Sequence, residues 1–326
     1  MINWNNLDTL SAYKKLLSLK GQVRLGEVLS AARVSSCQVP VAAGLTYNYA
    51  SKQVNDQILT VLQELADEQE LIAKYKALLS GETINTGEGR KVLHHLARGQ
   101  LVGDVVFEGK NLRSFYREQQ DKIAAFVSRV HNGEITGTGG ERFTTVVQIG
   151  IGGSDLGPRA MYLSLNEWAV RSGVKKMDAK FISNVDPDDG AAVIGSCDLG
   201  RTLFILVSKS GTTQETLANY QLVKSWALGK GIKNFKLEKQ MLAVTSKESP
   251  LASSSDFLTS FYIDDYIGGR YSSTSAVGGV IISLAYGFDI FDELLAGAAE
   301  SDQAALGERV RENAALLDAC IGVYYR

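Results

Sequence analysis

Two hydrophobic rhythms divide the chain. Over the first 130 residues the apolar positions recur at helical spacing: Ile58, Leu62 and Leu65 share one face, and so do Ile123, Phe126, Val127 and Val130. The "HNG" that follows the second run supplies a residue suited to a left-handed helix end. This pattern predicts helices and needs no strand. From Thr144 the period changes. "TTVVQIG", "KFISN", "TLFILVS" and "MLAVTS" are short β-rich runs, each followed by Gly, Ser, Asp or Thr and then by a helical segment. Such alternation predicts an α/β fold, a doubly wound parallel sheet covered by helices on both faces and joined by right-handed crossovers. Ligands in such sheets bind beyond the carboxyl ends of the strands.

The long weakly charged run "AVGGVIISLAYGF", Ala276 to Phe288, is shorter than the ~20 residues that span a bilayer and predicts a buried helix. From Ser301 to Arg326 the pattern is helical again, with Leu316, Leu317 and Ile321 as its apolar positions. Composition narrows the class. A chain of 326 residues, 45% hydrophobic and 21% charged, can bury a large core and is neither disordered nor fibrous. A formal net charge of −2 provides no global field for a polyanion, so nucleic acid is not an expected partner, but a local nest of amides can still hold a small phosphate. The start "MINWNNLDTL" has no secretory pattern. Cys37, Cys197 and Cys320 lack metal-ligand spacing, which fits core thiols in a reducing cytoplasm and gives no metal site.

Three stretches carry candidate chemistry. In "VVQIGIGGSDLG", Val146 to Gly157, a dinucleotide fingerprint fails because Asp155 would set a negative charge against the pyrophosphate. A nucleotide P-loop fails because Pro158 and Arg159 replace the lysine and hydroxyl that hold phosphates and magnesium. What survives is a glycine turn entering a helix near Pro158, with Ser154 in place either to meet a small ligand or, with Asp155, to cap the helix. In "SKSGTTQET", Ser208 to Thr216, Ser208, Ser210, Thr212 and Thr213 place four hydroxyls in six residues at a predicted helix start. Hydroxyls, amides and the helix dipole together suit a phosphomonoester. The competing reading is a run of capping residues with Glu215 closing a capping box, but four hydroxyls exceed what one cap needs. In "IGGRYSSTS", Gly268 and Gly269 allow close backbone approach, and Arg270 is either a permanent cation for a developing oxyanion or half of a structural ion pair.

Taken together these stretches resemble the phosphoglucose isomerase family, which is built from two sugar isomerase domains. "VVQIGIGGSDLGPRA", "FISNVD", "VSKSGTTQET" and "GGRYSSTSAVGG" occur in the family's order, and "NTGEGRKVLHHLAR" resembles its N-terminal motif. The resemblance implies three regions: 1–130, an N-terminal helical region; 131–295, the first sugar isomerase domain; and 296–326, the helical start of the crossover to a second such domain. It implies that Ser154, Ser208, Lys209, Ser210 and Thr213 surround a substrate phosphate, with Lys209 acting mainly through its amide. Gly153 is then expected against the sugar, and Arg270 beside the enediol oxygens. The implied reaction interconverts glucose 6-phosphate and fructose 6-phosphate through a cis-enediolate, without metal or organic cofactor, in a cytoplasmic homodimer that acts on a small phosphosugar.

The family's base glutamate in an "ESNGK"-like motif, its ring-opening histidine in a "GTNGQH"-like motif and its late catalytic lysine have no counterpart in this sequence. The chain therefore reads as an N-terminal fragment that carries the phosphate site but lacks the base. His94 and His95 are expected to be structural or solvent-facing, and His131 to meet carbonyls at its helix end. "SKSGTT", where many family members have "SKTFTT", also occurs in other sugar isomerase domain proteins, and the alternative reading is a single-domain module that senses phosphosugars without converting them.

Overall fold

The computed structural model describes residues 3–99, 101, 103–229 and 236–326. They form two compact units that do not follow chain order. One gathers Met1–Lys91, Gly99–Gly103 and Ala296–Arg326; the other gathers Val92–Arg98 and Asp104–Leu295.

The second unit is built on a five-stranded parallel sheet with strands β1 (Thr145–Ile149), β2 (Asp178–Ile182), β3 (Thr202–Val207), β4 (Met241–Thr245) and β5 (Thr259–Tyr262). Their order across the sheet is β2-β1-β3-β4-β5, and Ile149 pairs with Ile182 on one side and Leu206 on the other. Four strands coincide with the apolar runs of the sequence. The fifth does not: β5 is a four-residue edge strand, "TSFY", whose two polar residues leave little apolar signal.

Strand β3 illustrates why central strands read as unbroken apolar runs. All six of its residues are buried. Leu203, Ile205 and Val207 face one apolar cluster and Phe204 and Leu206 another, as the two-residue period of a strand requires. Helices cover the two faces, among them α1 (Leu112–His131), α2 (Leu156–Arg171), α3 (Pro187–Gly195), α4 (Gln214–Gly229) and α5 (Ala276–Tyr286). Ile123, Phe126 and Val127 of α1, Tyr162 of α2 and Val280 of α5 share the first cluster, whereas Ile194 of α3 and Tyr220 and Val223 of α4 share the second. Each such side chain contributes about 1.5 to 3 kcal/mol through burial, so these two clusters hold the helices to the sheet. All residues of α5 are buried, in line with the prediction for that run.

Helix α1 ends where the sequence places its stop, with Gly133 at φ 78°. His131 does bond a carbonyl, but one of a different helix: its Nε2 lies 2.9 Å from the Leu284 oxygen in the last turn of α5, which packs along α1.

In the first unit the helix Asp56–Glu68 buries Ile58, Leu62 and Leu65, as their spacing predicts, in a cluster with Leu16, Leu317 and Ile321. Cys37 and Cys320 are buried there as free thiols, and burial pushes the Cys320 thiol up to about 11. The expectation of no strand before Thr144 is corrected by two small antiparallel pairs. Gln38–Pro40 pairs with Thr46–Asn48 in the first unit, and Val106–Phe107 with Lys110–Asn111 in the second. Two or three residues are too few for a period to register. Among the described residues no helix is long and apolar enough to cross a membrane.

Candidate functional site

In this strand order the chain moves from β1 outward to β2 and then returns to β3 on the other side of β1. The crevice at such a reversal, outside the carboxyl ends of β1 and β3, is where open α/β sheets bind ligands. The glycine turn after β1 and the hydroxyl loop after β3 therefore flank one crevice.

The hydroxyl loop is folded around Ser208, which is buried. The Ser208 amide donates to the Val244 carbonyl at 3.1 Å, and its own carbonyl accepts from Thr245 Oγ1 at 2.7 Å. Its hydroxyl oxygen accepts from the Gly211 amide at 3.1 Å and lies 3.1 Å from Thr213 Oγ1. Gly211 makes this fold possible: its φ is 69°, and a Cβ there would overlap Ser249 Oγ. Ser210 is exposed, and its oxygen accepts from the Thr212 amide at 3.2 Å. The amides of Lys209, Ser210 and Thr213 make no hydrogen bond among the described residues. Glu215 is exposed and closes no capping box among them. Free N–H groups and hydroxyls thus gather at the start of α4, whose dipole adds to their attraction for an anion.

The glycine turn is different. Gly152–Ser154 form one short 3-10 turn, and Asp155 stands at the start of α2 without a capping hydrogen bond. The Asp155 carboxylate is buried and pairs with Arg159 at 2.9 Å; burial holds it above the usual carboxylate range, with Arg159 opposing that shift. The Ser154 hydroxyl makes no hydrogen bond among the described residues, while its carbonyl accepts from Gln148 Nε2 at 2.7 Å. Neither residue caps the helix. A Cβ built on Gly153 would overlap the Gly269 carbonyl and stand 2.6 Å from the Arg270 amide nitrogen. Gly153 therefore permits contact between the glycine turn and the loop that bears Arg270. Ser272 fastens that loop, donating to the Gly269 carbonyl at 2.7 Å.

Arg270 itself is exposed and has no ion pair or hydrogen bond among the described residues, so the structural-pair alternative is not realised there. The segment leading to it is held at several points. Lys209 Nζ lies 3.0 Å from Asp265 Oδ1 and donates to the Ile267 carbonyl at 3.5 Å. The Leu93 amide donates to the Tyr266 carbonyl at 3.0 Å, and the Tyr266 amide to Asp264 Oδ1 at 3.1 Å. Burial holds the Asp264 carboxyl above its ordinary value, although the Tyr116 hydroxyl and Lys209 oppose the shift. The His94 ring meets the Tyr271 ring edge-on, with centroids 5.7 Å apart. Its Nε2 is buried without a hydrogen-bond partner, and burial, with Arg98 nearby, lowers its pKa to about 4. His94 is therefore a neutral packing group at neutral pH.

Gly153, Ser154, Ser208, Lys209, Ser210, Thr213 and Arg270, the candidate site residues of the sequence, all fall in this unit. Gly153 and Arg270 are brought together directly, and Ser208, Lys209, Ser210 and Thr213 form one loop that reaches the arginine segment through Lys209. Sequence reasoning missed Asp265 and the His94–Tyr271 contact, because each pairs residues far apart in the chain. The doubled acid in "IDDYIGGR" was the only local signal for Asp265. A cavity of about 460 Å³ adjoins this segment beyond β4 and β5, lined by Lys110, Phe115, Lys247 and the stretch Asp264 to Tyr266 among others. Among the described residues no three His, Cys, Asp or Glu side chains gather in a metal-binding group.

A five-stranded, helix-covered parallel sheet with open amides and hydroxyls at its switch point is a doubly wound α/β fold of the kind found in phosphosugar isomerases. The sequence profile of the family described as Phosphoglucose isomerase matches residues 48–326. A glucose-6-phosphate isomerase of Treponema denticola is 53% identical over 333 residues, covering 100% of this chain and 62% of that protein. One of Borreliella afzelii is 44% identical over 329 residues, with the same two coverages. The crystal structure of a glucose-6-phosphate isomerase from Chlamydia trachomatis superposes with a TM-score of 0.85 at 36% identity, covering 99% of this chain and 61% of that one. The chain belongs to the phosphoglucose isomerase family. It spans 62% of the length of these curated relatives.

Proposed function

We propose that this chain is the phosphate-anchoring portion of a glucose-6-phosphate isomerase, which interconverts glucose 6-phosphate and fructose 6-phosphate in glycolysis and gluconeogenesis. The hydroxyl loop, through Ser208, the Lys209 amide, Ser210 and Thr213, holds the phosphate, with Ser154 across the crevice. Gly153 lies against the sugar, and its lack of a side chain lets the loop that bears Arg270 close up to it. Anchoring the phosphate fixes the reacting carbons and supplies the positioning share of the rate. As a proton moves between C2 and C1, negative charge develops on the enediolate oxygens, and the Arg270 guanidinium, charged at any working pH, stabilises it. The observation that carries this reading is Arg270: an exposed arginine with no partner among the described residues, on a loop seated against the glycine turn through Gly153.

Proton transfer needs a base within hydrogen-bond reach of the reacting carbons. The 326 residues contain none of the family's base, ring-opening or late lysine motifs, so phosphosugar binding without turnover is expected of them. The division into a helical region (1–130), a first sugar isomerase domain (131–295) and a crossover start (296–326) belongs to the same proposal. So do the cytoplasmic setting, a homodimeric full-length protein and the absence of a nucleic-acid partner. The test is fructose 6-phosphate titration and a coupled isomerase assay on the purified 326-residue chain, with a Ser208→Ala/Thr213→Ala variant beside it. Binding that the double variant loses, without turnover, supports the reading. Turnover lost in the double variant would place a working base within these residues, and absence of binding would remove the phosphate site.

A further inference from the structure

Lys209 sits in the middle of the hydroxyl loop, yet its ammonium is engaged 56 residues away in sequence. It lies 3.0 Å from Asp265 Oδ1 and reaches the Ile267 carbonyl at 3.5 Å. From Ile267 the chain runs through Gly268 and Gly269 to Arg270, whose own side chain is held by nothing among the described residues. The pair is thus a strut between the loop with free amides and the loop with the free guanidinium. Stability does not explain it. The Asp265 side chain is 63% exposed and that of Lys209 29%, and an ion pair open to solvent on the carboxylate side contributes little to folding.

We propose that Asp265 is a positioning residue: by holding the Lys209 ammonium it sets the distance between the phosphate loop and Arg270. This inference rests on the proposed function of that site and adds to it the device that matches the site to a ligand of fixed length. A ligand that touches only the phosphate loop does not sense the strut. A phosphosugar that spans both loops does. Electrostatics makes the opposite prediction: removing a carboxylate beside an anion site strengthens anion binding.

The experiment compares inorganic phosphate and fructose 6-phosphate binding by calorimetry for the 326-residue chain and for its Asp265→Asn and Asp265→Glu variants, with thermal melts to check folding. The expected result is that Asp265→Asn weakens fructose 6-phosphate about tenfold, leaves phosphate within about twofold, and melts within a few degrees of the parent. Asp265→Glu is expected to recover most of the phosphosugar affinity, because it restores the carboxylate. Tighter binding of both ligands by Asp265→Asn would reduce Asp265 to an electrostatic neighbour and overturn the inference. Unchanged affinities, or equal weakening of both ligands, would overturn it as well, with the proposed function intact. If the parent chain binds neither ligand, the proposed function fails and this inference falls with it.

Discussion

The glycine turn and the hydroxyl loop occupy equivalent places, each following a buried parallel strand at the switch point and leading into a helix, but they are built on opposite plans. In the glycine turn, Gly153 has no room for a side chain against the Gly269–Arg270 backbone, and the buried Asp155 is occupied by Arg159. In the hydroxyl loop the packing is turned inward through Ser208, and Ser210 together with the amides of Lys209 and Thr213 is left open. Glycines in such a turn mark the contact of one backbone with another. Hydroxyls in such a loop mark where a ligand can be held.

The sharpest way to break this contrast is Gly153→Ala. Its Cβ would collide with backbone, which cannot move aside as a flexible side chain can, so a loss of about 3 kcal/mol in unfolding free energy is expected. Urea denaturation measures it, and a loss below about 1 kcal/mol would show that the two loops are not in firm contact.

Acid loosens the arginine segment by a different route. The folded-state pKa of His94 is depressed to about 4 from an unfolded value near 6.5. The folded protein then binds fewer protons than the unfolded chain between these values, so stability rises with pH across that window. His94 contributes its full share above pH 6.5, and that share is lost as pH falls towards 4. Between pH 7 and 5 the loss is on the order of 2 kcal/mol. It is expected to disappear in His94→Phe when both chains are unfolded in urea at the two pH values, and equal pH slopes would contradict the burial assigned to His94.

Ser208→Ala leaves the Gly211 amide without its acceptor. We expect a stability loss of about 1 kcal/mol together with weaker phosphosugar binding, whereas Ser210→Ala, at an exposed position, weakens binding alone. If both variants lost stability equally, the division into an inner and an outer hydroxyl would be wrong. Arg270→Ala has the smallest expected effect on folding, within about 0.5 kcal/mol of the parent, because no described residue depends on its side chain. A larger shift in its melting curve would reveal a structural role.

Much of this was legible in the sequence, for reasons that differ between elements. Strand β3 is buried on both faces and so appears as "TLFILV", an apolar run that needs no partner to be recognised. The hydroxyl loop announces itself because its hydroxyls and the glycine that lets them gather lie within six positions, although Val244 and Thr245 also anchor it from the next strand. Strand β5 and the two small antiparallel pairs were not legible, since edge strands and two- or three-residue ladders carry almost no period. The partner of His131 was misjudged because the choice between its own helix end and Leu284 is made by helix packing. The Lys209–Asp265 pair was invisible for the same reason. Nothing in either stretch refers to the other, and only the order β2-β1-β3-β4-β5 brings the loop after β3 near the segment after β5.

At the core of the proposed function, the open amides of the hydroxyl loop hold the phosphate. This is tested most directly by following amide resonances of the isotope-labelled 326-residue chain during titration with fructose 6-phosphate. Lys209, Ser210 and Thr213 are expected to shift first and furthest, with the Arg270 segment following. Shifts centred instead on Lys110, Glu118 and Lys247, on the side of the cavity away from the arginine segment, would contradict it.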